Sequence, residues 1–319
     1  MRQMRMMKMS TKIDSLWDSI NLDKTGVGFR RFDATHILDF YVGIDSDGRR
    51  ALLLICPSEP VVQSDMRAVL VKSHARDDGR WSLFIVLEDI RLVELFSLFC
   101  EDLIESSRFN LDLFKSFAFV VSRLTSWRQL FELGDLGLLS ENQVRGLCGE
   151  LLYLRTLVES IGALAAVNAW VGPSRADQDF QVENHAWEIK TIRPGCDVIK
   201  ISSEEQLDTK LRSIDLVVIE LGNCTVASQG AFTLNSMVCK IQSLLMSNYE
   251  ARLKFDNLLF KAGYIVRPEY DVLNLVVRNV AVFSVCGDFP RIAPHCLPVG
   301  VSRVKYELNL AECVSFKTT

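Results

Sequence analysis

The sequence predicts an α/β (α+β) protein, and three features predict it. Between residues 142 and 221 the periodicity runs helix, two short strands, a third strand, a helix and a strand. The last of these, residues 216–221, is largely apolar, as suits a strand buried on both faces. Upstream, short strand-like runs separated by turns rich in Asp and Gly lead into strongly apolar helices, the pattern of a small antiparallel sheet with a helix over it. With 319 residues, 49% of them hydrophobic, the chain can bury a sizeable core and is long enough for two domains.

Taken in order, residues 1–12 form a head with five methionines, Arg2, Arg5 and Lys8 but no following apolar run. They read as disordered rather than as a signal peptide. Residues 13–135 read as an N-terminal α+β domain. Its strands are expected at 38–44, 51–56, 69–72 and 81–87, with turns at Asp45-Ser46-Asp47-Gly48 and Arg76-Asp77-Asp78-Gly79. The first turn opens like a calcium loop, but the later ligands do not follow, so a hairpin is expected. Helices follow at 90–105 and 111–132. His36 and His74 have no evident partners and read as surface or cap residues. Trp127, beside Arg128, either stacks on a nucleic-acid base or packs between domains. Gly134-Asp135-Leu136-Gly137 marks the boundary to a second domain, 136–319.

That second domain carries the chemistry. In the helix predicted over 142–160, Leu147, Leu151, Leu154, Leu157 and Val158 form one apolar face, and Glu150 lies on that stripe. A carboxylate there costs several kcal/mol, roughly, unless it is paired or reaches water at the stripe's edge. In Asp179-Phe180-Gln181-Val182 the polar and apolar residues alternate, as they do in Trp187-Glu188-Ile189-Lys190. A two-residue turn at Asn184-His185 would pair Glu183 with Ala186, Gln181 with Glu188 and Asp179 with Lys190, placing all polar side chains on one face. Carboxylates and a lysine converging in this way suit a divalent-metal site for phosphate chemistry. The plain alternative is a solvated cross-strand ion pair. A third strand is expected at 198–201 and a helix from Ser202 or Ser203 to Arg212, with Glu204 and Glu205 in its first turn. A helix over 234–262 and strands at 273–285 and 304–310 form an extension, with His295 in a loop.

Asp179, Glu188-Ile189-Lys190, the preceding Gly149-Glu150-Leu151-Leu152 and the following Glu205-Gln206-Leu207 resemble the signature of the PD-(D/E)xK nuclease superfamily. Together with Trp170-Val171-Gly172-Pro173 and Thr191, they are similar to a bacterial family of PD-(D/E)xK motif proteins found near restriction and phage-defence genes. Gln178 stands where the superfamily's proline would be. The resemblance implies a restriction-endonuclease-like α-β-β-β-α-β core with a mixed sheet. It also implies catalytic roles for Glu150, Asp179, Glu188, Lys190 and Gln206. Mg²⁺ (or Mn²⁺) would be held by Asp179, Glu188, Glu150 and the backbone carbonyl of Ile189.

The function expected is therefore metal-dependent hydrolysis of DNA phosphodiester bonds in a restriction or phage-defence system. A catalytically silent DNA-binding or scaffolding subunit, or an RNA endonuclease, is the alternative. The net charge of −4 announces no nucleic-acid partner globally, so contact with DNA must rest on local residues: Arg193, Lys200, Lys210 and Arg212. Nine scattered cysteines without ligand spacing read as reduced, packed thiols of a cytoplasmic protein. No apolar run reaches membrane-spanning length. Other subunits of such a system, and a second copy of the chain, stay open as partners.

Overall fold

The computed structural model describes residues 12–62, 65–66, 68–109, 112–133 and 138–318. The expected head, apart from Lys12, and the boundary residues 134–137 lie outside them. The chain divides into two compact units, 1–137 and 138–319, in a mixed α+β architecture with several sheets.

In the first unit, α1 (Lys12–Asp18) precedes β1 (Gly28–Arg31), β2 (Asp39–Ile44), β3 (Arg50–Cys56), β4 (Asp65–Met66), β5 (Val69–Ala75) and β6 (Trp81–Leu87). These form an antiparallel sheet in the order β1-β2-β3-β6-β5-β4. The β2–β3 turn closes because Asp45 Oδ1 accepts from the Asp47 and Arg49 amides and Gly48 takes a φ of +76°. It is a hairpin turn. Two helices follow, α2 (Val93–Ser106) and α3 (Leu113–Leu133). Trp127 is fully buried against Phe99 and Phe131, and its Nε1 donates to Asp102 Oδ2 at 2.5 Å. An indole enclosed within its own unit cannot stack on a base. His36 is no surface residue either. It is buried, its Nδ1 accepts from the Leu38 amide at 2.9 Å and its Nε2 lies 3.0 Å from the Ile104 carbonyl.

The second unit opens with α4 (Glu141–Ile161), started by a capping box between Ser140 and Gln143. Then come α5 (Ala163–Ala169), β7 (Phe180–Val182), β8 (His185–Ile192), β9 (Val198–Ile201), β10 (Ser213–Asn223), α6 (Leu234–Leu244), α7 (Tyr249–Lys261), β11 (Leu275–Ser284) and β12 (Tyr306–Asn309). The central sheet runs β11-β10-β8-β7 and is mixed: β8 and β10 are parallel, the outer pairs antiparallel. Val217 and Ile219 of β10 enter one core with α4, α6 and α7, while Leu216 and Val218 enter a second core with Ile199, Ile201 and Leu308. Coverage of both faces is why β10 reads as an almost continuous apolar run.

Four expectations for this unit change. The β7–β8 turn sits at Glu183-Asn184, with Glu183 at φ +47°, so Phe180 faces Trp187 and Gln181 faces Ala186. The shift is two residues along β8, which preserves the polar and apolar faces because side chains alternate with period two. β9 leaves the main sheet and pairs with β12. Residues 202–212 form turns rather than a helix, because the side chains that would line its first turn bond elsewhere: the Glu204 carboxylate accepts from the Arg303 and Val304 amides at 2.8 and 2.7 Å. The expected helix over 234–262 is two, because Asn248 interrupts it and caps α7 through the Ala251 amide. Of the nine thiols, Cys56, Cys100, Cys148 and Cys313 are buried, but Cys196, Cys239, Cys286 and Cys296 are exposed; all nine are free.

Candidate active site

α4 delivers the first carboxylate because a glycine precedes it. A Cβ on Gly149 would lie 2.4 Å from Thr191 Cγ2, so only glycine lets α4 approach β8 this closely. Glu150 is thereby held beside the strand, and its Oε2 accepts from Trp170 Nε1 at 2.7 Å.

Asp179 enters from the segment leading into β7 and is fixed at both ends. Its main-chain carbonyl accepts from the Val171 and Gly172 amides, and its Oδ2 accepts from the Ile189 amide at 2.8 Å. Gly172 packs between the two acids: a Cβ there would lie 2.9 Å from Asp179 Oδ1 and 3.3 Å from Glu150 Oε2. Gln178 is buried and donates to the Glu205 carbonyl at 2.9 Å, tying the start of β7 to the turns after β9.

β8 contributes the rest. Glu188 is 1% exposed, whereas Glu150 and Asp179 keep partial exposure, so the cluster is reached from their side. Lys190 Nζ lies 2.7 Å from Glu188 Oε1 and donates to Gln206 Oε1 at 3.2 Å. The same Gln206 oxygen accepts from the Ser202 amide at 2.8 Å, so the turn locks the glutamine even without a helix. Glu150, Asp179, Glu188, Lys190 and Gln206 are thus brought together. Ile189 offers its backbone on the same edge of β8 as Asp179, because the N–H and C=O of one strand residue point to the same side.

Packing and mutual repulsion show in the acidities. Burial, then the Asp179 charge, raises Glu150 well above the usual carboxylate range, against the lowering effect of the Trp170 hydrogen bond. Burial and Asp179 push Glu188 up to about 8, with Lys190 opposing. Asp179 is also raised by burial, moderated by the Ile189 amide and Lys190.

The basic residues are more scattered. Arg193 is exposed and pairs with Glu141 at 3.0 Å. Lys200 lies 3.9 Å from Glu307 on the exposed face of β9, and Lys210 is an exposed turn residue. Arg212 donates to the Glu183 carbonyl beside the β7–β8 turn. Since Ser213 is level with His185, that position is about five residues, or roughly 16 Å, from Lys190 along β8.

Trp170, Gly172, Gln178 and Glu204 hold the cluster; the first three carry no role in the sequence reading, and Glu204 figures there only as a first-turn acid of the expected helix. The run Trp170-Val171-Gly172-Pro173 was visible, but its contact with Glu150 joins positions that no local periodicity relates. Among the described residues no three His, Cys, Asp or Glu side chains stand ready as ligands. Each acid has an oxygen engaged, by Trp170, Ile189 or Lys190. The donor set is nonetheless all oxygen, anionic and self-repelling. Those properties fit a hard divalent cation.

Among the described residues no helix is long and apolar enough to cross a membrane. No curated protein and no solved structure matches the chain at a significant level. The sequence pattern of a family described as a proposed PD-(D/E)XK family member, DUF4420, matches residues 13–311. That span takes in both units and every residue of the cluster, and the chain belongs to this nuclease-like family.

Proposed function

We propose that the protein is a metal-dependent phosphodiesterase that hydrolyses DNA within a restriction or phage-defence system. The observation that carries this reading is the cluster at β8: three carboxylates, a lysine and a glutamine gathered by α4, β7, β8 and the turns after β9. A scaffold has no need for like charges packed so closely, because their desolvation and repulsion oppose folding. The family's kinship points to the same chemistry.

Asp179, Glu188, Glu150 and the Ile189 carbonyl would hold Mg²⁺ or Mn²⁺. When bound, the cation supplies Lewis-acid stabilisation of the charge on the scissile phosphate. Lys190, steered by Glu188 Oε1 and Gln206 Oε1, orients the attacking water and stabilises charge growing on the phosphoryl oxygens. Gln206 keeps the ammonium from collapsing fully onto Glu188. Arg193, three residues beyond Lys190 and exposed, is the basic side chain best placed for a flanking phosphate; Arg212 is too far along the strand to serve the same nucleotide.

Supercoiled, linear and single-stranded DNA and RNA, incubated with Mg²⁺ or Mn²⁺ against EDTA, test this. DNA cleavage should depend on metal and disappear in Asp179→Asn and Glu188→Gln. Lys190→Met keeps the apolar stem and should lower the rate by about 10²–10³-fold, with DNA affinity much less affected. Wild-type rates in either carboxamide variant would refute the assignment. DNA binding without cleavage under any metal would favour a silent subunit.

A further inference from the structure

Glu188 Oε2 is one of three buried side-chain atoms among the described residues with no hydrogen-bond partner; the others are Arg291 Nη1 and the Tyr306 hydroxyl. Such atoms are few in native proteins, and each is costly enough to call for a reason. These three belong to one region. Glu188 lies on the face of β8 shared with Ala186, which enters the second core of the unit. Tyr306 packs against that core and sits opposite Ile201, the residue before Ser202. Arg291 donates from Nη2 to Thr209 Oγ1, within the turns that hold Gln206.

Burial is the main influence on the Tyr306 phenol and raises its pKa; the Ile292 amide, Arg291 and Glu188 act on it in turn. Charges of both signs from the other two groups therefore reach the tyrosine. The chemistry is complementary as well. A phenol O–H and a guanidinium N–H are unspent donors, and a carboxylate oxygen is an unspent acceptor. A water molecule can accept from the first two and donate to the third.

We infer that Tyr306 and Arg291 are positioning residues for Glu188, joined to its Oε2 through enclosed water so that Oε1 stays turned to Lys190. They come from a segment outside the signature motifs, and the inference rests on the proposed role of Glu188 in holding a cation. Partners behind a metal ligand typically matter 10–100-fold in affinity.

Two measurements on the full chain decide it. The first is calorimetric titration with Mn²⁺, without substrate. Tyr306→Phe and Arg291→Met should each weaken binding by about 10–100-fold, and Arg291→Lys, which keeps a donor, should lose less. The second is a metal-free thermal cycle of Tyr306→Phe and Glu188→Gln. Coupled groups should give a double variant whose melting temperature departs from the sum of the single shifts by about 2 °C or more. Unchanged Mn²⁺ affinity in both Tyr306→Phe and Arg291→Met, or simple additivity in the cycle, overturns the inference. Should the wild type bind no Mn²⁺, the cation-holding reading fails, and the thermal cycle alone decides whether the three side chains act together.

Discussion

A carboxylate at 1% exposure with two others close by is stable at neutral pH only if protons, a lysine or a cation offset the repulsion, and Glu188 has Lys190 at 2.7 Å for part of that. Glu150 is legible in the sequence because it violates the apolar stripe around it, whereas Glu188 fits its strand's alternation and is legible only through its spacing from Asp179 and Lys190. His36 shows the opposite case. Its partners are the Leu38 amide and the Ile104 carbonyl, backbone groups that no side-chain pattern reveals. Because Nδ1 accepts from an amide, the neutral ring carries its proton on Nε2; a second proton would confront the Leu38 N–H. Burial accordingly lowers the His36 pKa below its ordinary 6.5. A folded pKa below the unfolded one means that His36 contributes stability above about pH 6.5 and loses it as pH falls through the folded value. The melting-temperature advantage of wild type over His36→Asn should therefore shrink between pH 7.5 and 5. An advantage that stays constant would show that the ring is not held neutral.

At the scale of elements, α4 and β8 meet at Gly149, and their close approach sets where Glu150 stands. Gly146, one turn earlier, has open space where its Cβ would be. Gly146→Ala should stabilise the protein by about 0.5–1 kcal/mol through helix propensity alone. Gly149→Ala should destabilise it by about 1–3 kcal/mol, as overpacking does, and should lower cleavage at least tenfold by lifting Glu150 away. Equal effects of the two substitutions in thermal melts and rate assays would refute the packing argument. The existence of α4, β8 and β10 was readable from period and apolar content. The β7–β8 register was not, because a shift of two residues leaves every side chain on its face and no hydrophobic pattern penalises it. Nor was the missing helix at 202–212. Glu204, an apparently favourable first-turn acid, is committed to amides about a hundred residues away.

Across the whole molecule, two units carry separate sheets, and all five residues of the cluster belong to the second. A ligand that binds only the folded state stabilises it by mass action, by about 2.7 kcal/mol at a hundred times its dissociation constant. Mg²⁺ or Mn²⁺ should accordingly raise the melting temperature of wild type and do so far less in Asp179→Ala. Identical shifts in scanning calorimetry would place the cation elsewhere. The second unit also has an order in time. The Gln206 turn is clamped by Arg303 and Val304 through Glu204, and β9 waits for β12. During synthesis at about 5–20 residues per second, the ribosome has completed Glu188, Lys190 and Gln206 roughly 5–20 s before it supplies that clamp. A nascent chain thus holds these side chains unassembled for about a third of its synthesis, and a message cut short in that interval yields a protein with the acids but without the brace that sets the lysine.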